Sequence, residues 1–476
     1  MSLWSRRNEP AARATLAALS AGLLVASGAA QASAAGRPVA WGCGSHDYGQ
    51  CSVPSGLSGV TAIAAGLGHS LALRGNGTVV AWGCGFNNNG QCDVPSGLSG
   101  VTAIAAADHS LALKADGTVV AWGCGAGNNY GQCSVPSGLS GVTAIAAGGA
   151  HSLALKGDGT VVAWGCAGVT DHGQCSVPSG LSGVTAIAAG GAHSLALKGD
   201  GTVVAWGCTG GDEGQCNVPS GLSGVTTIAA GQADSLAVKG DGTVVAWGCG
   251  APFSYGQCGV PSGLAGVTAS AAGYFHSLAV KGDGTVVAWG CGFDHGQCSV
   301  PGSLSRVSAI AAGDYHSLAL VELMNQTITF DPLPKKTYGD PDFTVSATAS
   351  SGLAVSFAAS GSCIVSGATV HLTAPGSCTV TASQPGDAVF NPARDVSRTF
   401  SIARAPCRVP NVVGRTVASA KQTIATRHCR TGRVGYAYSR KRKRGIVITQ
   451  SRRPGQVLPA ESKINLIVSR GRRRGA

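Results

Sequence analysis

Between residues 36 and 320 the chain repeats one pattern of apolar and polar positions. A full unit reads G-V-T-A-I-A-A-G, then x-x-H-S-L-A-L-K, then G-D-G-T-V-V-A-W-G-C, a short loop, and G-Q-C-S-V-P. Each piece is five to seven residues long, contains Val, Ile or Leu and is bounded by Gly or Pro, which predicts strands with turns between them. Asp-Gly between H-S-L-A-L-K and T-V-V-A-W is a tight hairpin signal. The Trp of the unit recurs at Trp41, Trp82, Trp122, Trp164, Trp206, Trp247 and Trp289, in steps of 40 to 42 residues. A period of this length marks a supersecondary unit that buries its apolar face only against its neighbours. Four strands per unit and seven units predict a seven-bladed β-propeller.

The two ends of the repeat region are half units. The chain opens with Pro38-Val39-Ala40-Trp41 and Gly49-Gln50-Cys51, the last two predicted strands. It closes with Ala309 to Ala312 and His316 to Leu320, the first two. Together they predict a blade built from two strands of each end, a closure that hides the edges of an open array.

Beyond the repeats the pattern changes. Over residues 325–404 Thr, Ser, Val and Phe alternate in short runs at about ten-residue spacing, which predicts a small β-sandwich. Residues 406–476 form a further module. The predicted fold class is therefore mainly β throughout the first two regions.

Composition places these modules. Residues 1–34 read as a signal peptide: Arg6, Arg7 and Arg13 precede an apolar run from Ala14 to Ala30, and Ala32-Ser33-Ala34 is a small-residue cleavage site. Ser5-Arg6-Arg7 weakly resembles a twin-arginine signal, although disulfide formation after export favours the Sec route. The expected location is secreted or cell-wall associated. The net charge of +12 conceals a division. Residues 36–320 hold 8 Lys/Arg and 14 Asp/Glu, net −6, whereas residues 406–476 hold 18 Lys/Arg and one acid, net +17. Arg440-Lys441-Arg442-Lys443-Arg444 and Arg472-Arg473-Arg474 concentrate that charge into a surface drawn to polyanions.

The 18 cysteines come in close pairs, as an oxidising compartment would favour. Cys43–Cys51, Cys84–Cys92, Cys124–Cys133, Cys166–Cys175, Cys208–Cys216, Cys249–Cys258 and Cys291–Cys298 each bracket the loop between the T-V-V-A-W strand and G-Q-C. Both flanks are predicted strands, and antiparallel neighbours put such residues about 5.5 Å apart, a disulfide distance. Zinc favours shorter C-x-x-C-type spacing and four ligands, so no metal is expected.

Alternating strand direction puts the A-A-G/H-S links and the cysteine loops on one face, and the K-G-D-G turns and V-P-S-G-L-S-G links on the other. The cysteine-loop face carries Tyr48, Phe86, Tyr130, Phe253, Tyr255, Tyr274, Phe275, Phe293 and Tyr315 with Asp171, Asp212, Glu213 and Asp314, and its loops contain no Lys or Arg. Aromatic side chains on rigid loops suit binding, because little entropy is lost on docking. Catalysis has little support. His-Ser recurs at His69, His109, His151, His193, His276 and His316, and a catalytic group is needed once rather than in every blade. No phosphate loop or zinc-enzyme motif occurs, and no cofactor is expected.

The phrases V-x-A-W-G-x-G-x-x-x-x-G-Q and I-A-A-G-x-x-H-S-L-A-L resemble the regulator of chromosome condensation repeat. They are nearest to the secreted β-lactamase inhibitory propellers, which lack two cysteines per unit. A nucleotide-exchange role, known for eukaryotic relatives, does not fit an exported chain. Asp331-Pro332-Leu333-Pro334 and Lys336 to Asp340 resemble bacterial Ig-like modules, in which Cys363–Cys378 would form the disulfide. Val409-Pro410-Asn411-Val412-Val413-Gly414, Gly445 to Gln450, Pro454-Gly455 and Leu466 to Ser469 are similar to a PASTA domain. That resemblance implies an α+β module with a helix on a three-stranded sheet, and Cys407–Cys429 would tie the first strand to the helix end. The expected function is a monomeric, non-enzymatic binding protein. Its propeller face would recognise an extracellular or envelope protein or peptide, and its PASTA-like module would associate with peptidoglycan or anionic wall polymer. The alternative is a secreted inhibitor of a β-lactamase or wall-active enzyme.

Overall fold

The computed structural model describes residues 30–85, 88–125, 129–209, 212–250, 254–387 and 389–473. Most of the expected signal peptide lies outside these residues, as do Phe86, Phe253 and Arg474. The chain divides into two compact units, Met1–Leu323 and Met324–Ala476.

The first unit is a ring of seven antiparallel blades, five of them separate three-stranded sheets and two joined as one six-stranded sheet. Blade 1 holds Val60–Ala65, His69–Arg74 and Val79–Gly83, and blade 2 holds Val101–Ala106, Ser110–Lys114 and Val119–Trp122. Blades 3 and 4 are Val142–Ala147, His151–Lys156, Val161–Gly165 and Val184–Ala189, Ser194–Lys198, Val203–Trp206. Blades 5 and 6 are Val225–Ala230, Asp234–Lys239, Val244–Gly248 and Val267–Ala272, Ser277–Lys281, Val286–Trp289. Blade 7 joins Val307–Ala312 and Ser317–Glu322 to Ala30–Trp41.

The strand order follows from residue size and burial. The first strand of each blade is almost wholly buried, and its alanines let seven strands converge on the axis. The second strand is buried too, while the third is half-exposed apart from its Trp. Each seam between blades is a separate small core. Between blades 3 and 4, for example, Ala144, Ala146, Leu153 and Leu155 pack against Val184, Ile187, Ala189 and Trp206.

The structure corrects two expectations. G-Q-C-S-V-P is not a fourth strand. Gly49 and its equivalents take φ of 81–97°, and two tight turns follow, Ser52 N to Gly49 O and Val53 N to Cys51 O in the first copy. That curled path forms no ladder and leaves the Gln carbonyl free to accept from the next blade's Trp. Trp82 Nε1 donates to Gln50 O, and all seven copies repeat this bond at 2.7–2.9 Å. The segment is therefore a latch between blades. Closure is accordingly two strands plus one: Gly36 to Trp41 pair with Glu322 to Ser317, while the Gln50 latch docks on blade 1. Ala30 and Gln31, inside the expected leader, pair with Ile63 and Ala62.

All nine expected disulfides are present, and no described cysteine is free. The seven propeller pairs have Cα separations of 6.1–6.2 Å, longer than the paired-strand estimate, because one partner of each sits on a latch rather than in a ladder. Each one fastens a blade's last strand to the segment that grips the following blade.

In the second unit, a four-stranded sheet (Lys336–Thr337, Val396–Ala403, Gly376–Ser383, Ser356–Gly361) and a three-stranded sheet (Phe343–Thr344, Thr369–Leu372, Cys363–Ser366) enclose Phe330, Val370, Cys378, Val380 and Phe400. A small two-stranded pair, Ile328–Phe330 and Ala347–Ala349, adds Ile328 to the same core. After it, the helix Val417–Ala425 is capped by Thr416, whose side chain accepts from Ser419 N. The helix buries Ala420 and Ile424 against a three-stranded sheet of Arg430–Ala437, Lys463–Ser469 and Val447–Gln450. This is the expected α+β arrangement.

Candidate functional site

The cysteine loops are rigid because their glutamines brace them from within. Oε1 of each latch Gln accepts the backbone N–H two residues earlier, as Gln50 does from Tyr48 and Gln174 from His172, at 2.5–2.7 Å in all seven copies. Asp171 and Asp212 serve the same loops, accepting from Gly173 N and Gly214 N at 2.9 and 2.8 Å. The expected binding acids Asp171 and Asp212 are thus engaged in turns, and Glu213 lies beside Asp212 at a brace position.

On this framework the structure gathers part of the aromatic set. Phe275 is at the centre, 7 % exposed. Around it stand Tyr274 at 4.3 Å, Tyr255 at 4.9 Å, Phe293 at 5.2 Å and Tyr315 at 5.3 Å between ring centroids. Two histidines absent from the expected set complete the cluster. His46 stacks on Tyr315 at 4.3 Å and lies 4.3 Å from His295, and His295 meets Phe293 edge-on at 4.9 Å. Ser45 Oγ bridges both imidazoles through Nδ1 at 3.2 Å. Their signal in the sequence was their position inside the same loops. Tyr48 touches the edge of the cluster through His46. Tyr130 stands apart, beside the axial cavity. Phe293, 46 % exposed, presents the cluster to solvent.

The axial cavity, of about 370 Å³, opens on the same face. Small residues of the first strands line its wall, and Asp108, Tyr130, His172, Gln232, Tyr274 and Asp314 line its mouth. Burial, and secondarily Asp108, pushes Asp314 up to about 8, and burial pushes Asp108 up to about 6. Burial and then Asp314 raise the Tyr274 and Tyr315 phenols. Burial and the neighbouring His46 lower His295.

Beneath this face runs a ring of histidine–serine bonds. His69 Nε2 meets Ser110 Oγ of the next blade, and six such links of 2.7–3.0 Å pass round the propeller to His316 and Ser70. Those serines donate onward to the latch carbonyls at 3.0–3.2 Å, except that Ser277, opposite Asp234, does not. A serine that donates to a carbonyl accepts from Nε2–H, which puts a proton on Nε2 of each imidazole. Burial holds His69 and His193 down to about 4, and His109, His151, His276 and His316 down to about 3. None of these six histidines lines the axial cavity. The opposite face is self-neutralised, with Lys114–Asp116, Lys156–Asp158, Lys198–Asp200, Lys239–Asp241 and Lys281–Asp283 paired at 3.1–3.3 Å.

In the C-terminal module Arg440, Lys441, Arg442, Lys443 and Arg444 are all exposed, as are Arg472 and Arg473. Ser439 N to Gly471 O and Gly445 N to Ser469 O bring the two runs to one end of the module. Among the described residues none of these seven forms an ion pair, whereas Arg404 and Arg430 pair with Glu461. Among the described residues no group of three or more His, Cys, Asp or Glu side chains could hold a metal, and no helix is long and apolar enough to cross a membrane.

Residues 60–91, 105–132, 142–174, 184–215 and 267–297 match the regulator of chromosome condensation (RCC1) repeat, and residues 408–470 match the PASTA domain. The chain carries RCC1 repeats and a PASTA domain. Solved structures similar to it include Prp20p from Saccharomyces cerevisiae, in a study of its binding to Gsp1p and histones, at 22 % identity over 62 % of this chain and 93 % of that one, TM-score 0.49. The ectodomain of the receptor kinase CR4 from Physcomitrella patens is similar at 21 % identity, over 59 % of this chain and 69 % of that one, TM-score 0.41. The three-PASTA-domain of a Ser/Thr kinase from Staphylococcus aureus is similar at 22 % identity, over 13 % of this chain and 31 % of that one, TM-score 0.13. No curated protein matches the chain closely.

Proposed function

We propose that this chain is a secreted or wall-associated, non-enzymatic binding protein. Its RCC1-repeat propeller engages a protein or peptide through the cysteine-loop face of blades 5 to 7, and its basic PASTA module associates with peptidoglycan or anionic wall polymer. The observation that carries the reading is the continuous cluster of Tyr255, Tyr274, Phe275, Phe293, Tyr315, His46 and His295. Such clusters, already ordered before binding, are what interface hot spots use. Nine disulfides support an oxidising location, and seven unpaired basic side chains at one end of the PASTA module support a polyanionic wall partner.

Affinity capture from native envelope extract tests this reading. A partner held by wild-type protein should be lost with Phe293→Ala or Tyr255→Ala and kept with Lys198→Ala on the opposite face. Equal capture by all variants would remove the assignment of the face. The inhibitor alternative uses the same surface, and titration against β-lactamase and penicillin-binding-protein activity separates it.

A further inference from the structure

The histidine–serine ring has one gap, and other polar departures from the repeat collect beside it. Asp234 stands at the histidine position of blade 5. Both its carboxylate oxygens are buried without a hydrogen-bond partner, and so is Ser277 Oγ, the hydroxyl a histidine there would meet. Thr227 stands where the other blades have Ala62, Ala103, Ala144, Ala186, Ala269 and Ala309. Ser270 stands where they have Ile63, Ile104, Ile145, Ile187, Ile228 and Ile310. The hydroxyls of Thr227 and Ser270 are likewise buried and unpartnered.

The repeat register puts all four groups on one seam, with Ser270, which pairs with Ala279, two residues from Ser277, and Thr227, which pairs with Val238, four residues along the strand from Asp234. Ala144 of blade 3 packs toward Ile187 of blade 4, and Ala186 of blade 4 toward Ile228 of blade 5. By the same register Thr227 and Ser270 face each other across the seam of blades 5 and 6, which Asp234 and Ser277 also span. Among the described residues no other seam leaves a hydroxyl or carboxylate unpartnered.

An aspartate is shorter than the imidazole it replaces. The carboxylate therefore stops short of Ser277 and frees the space of the missing ring atoms. Oxygen surrounds that space. The Gly273 carbonyl crowds the same point beside Gly231 as Asp234 Oδ1, and its one backbone donor, Gln232 N, is 3.3 Å away. A carboxylate facing a carbonyl with no donor between them is stabilised by a positive centre there, or else by a proton of its own. Oxygen-only ligands select a hard cation, and one carboxylate balances one positive charge, which keeps the buried pair neutral. Gly231, Gln232, Ser270 and Gly273 all line the axial cavity, which gives an ion a route from solvent.

We propose that the seam of blades 5 and 6 binds an alkali-metal cation of sodium size, held by the Asp234 carboxylate, the Ser277 hydroxyl and the Gly273 carbonyl. The site adjoins the aromatic cluster where Gly273 leads into Tyr274, and would fix the blade-5 edge of the binding face.

Thermal unfolding of the oxidised full chain at pH 8 tests this. Sodium chloride is exchanged for N-methylglucamine chloride at constant ionic strength. Above saturation, each tenfold rise in sodium should raise the midpoint by about 2–4 °C. Asp234→His, which restores the repeat's own link, should abolish the sodium response. Asp234→Asn keeps the shape without the charge and should abolish it too. An equal response in wild type and both variants would overturn the proposal in favour of general ion effects. No sodium response in wild type, or a response to calcium alone, would also overturn it, the former in favour of water and a protonated carboxyl.

Discussion

Acidification should unfold the propeller far earlier than a disulfide-fastened β protein would otherwise allow. The perturbation acts on His69, His109, His151, His193, His276 and His316, each buried, neutral and held down to about 3 or 4 from 6.5. A folded pKa below the unfolded one means the stability is complete above pH 6.5 and is lost as pH falls through the folded values. At pH 5 the unfolded imidazole is almost fully charged while the folded one is not, a loss of about 2 kcal/mol per histidine and about 12 kcal/mol for six. Asp108, Asp234 and Asp314 run the other way, because burial raises them to about 6, 7 and 8. Protonating them as pH falls from 7.5 to 5 returns roughly half of that loss in sodium-free buffer, where Asp234 has no cation. The histidines win, and the net loss of about 5 kcal/mol is comparable to the whole stability of many domains. The assay is guanidinium unfolding followed by Trp fluorescence from pH 8 to pH 4, since all seven repeat tryptophans are buried. The midpoint should fall steeply below pH 6.5, with net proton uptake on unfolding. A midpoint that stays level to pH 4 would refute the neutral, interlocked ring.

Three other outcomes follow from the same geometry. Trp164→Phe removes the 2.9 Å bond to Gln132 O and leaves that carbonyl with the Ser152 hydroxyl as donor, so it should cost about 0.5–1.5 kcal/mol in denaturant unfolding. Deleting residues 36–51 removes the outer strand of blade 7 and the latch on blade 1, so the melting temperature should drop for the whole ring; an unchanged value would refute the closure. Full-length protein should sediment with purified cell wall and release as salt rises, through Arg440 to Arg444, Arg472 and Arg473. Retention unaffected by salt or by stripping of anionic polymer would indicate muropeptide recognition instead.

The period of Trp and the paired cysteines made the seven blades and nine disulfides legible, because both depend on residues close in sequence. What escaped depends on neighbours one repeat away. The G-Q-C segment has strand-like residues, yet Gly49 and its equivalents turn it into a latch whose bonds reach the next blade's Trp. His-Ser repetition announced a structural role, but not that each His meets the Ser 41–43 residues ahead and that the last closes on the first. Asp234 was visible as the odd copy, while its unpartnered state appears only with the blade register. In the aromatic set, Tyr130 separates from the cluster because ring position, unlike loop membership, is set by blade geometry. His46 and His295 join it for the same reason.

The most direct measurement is hydrogen–deuterium exchange on the full oxidised chain, alone and with its captured partner. Protection should appear in the loops of residues 42–50, 254–256, 273–275 and 290–296, leaving the K-G-D-G turns unchanged. Protection confined to those turns, or none in the cysteine loops of blades 5 to 7, would contradict the assignment of the aromatic face as the binding surface.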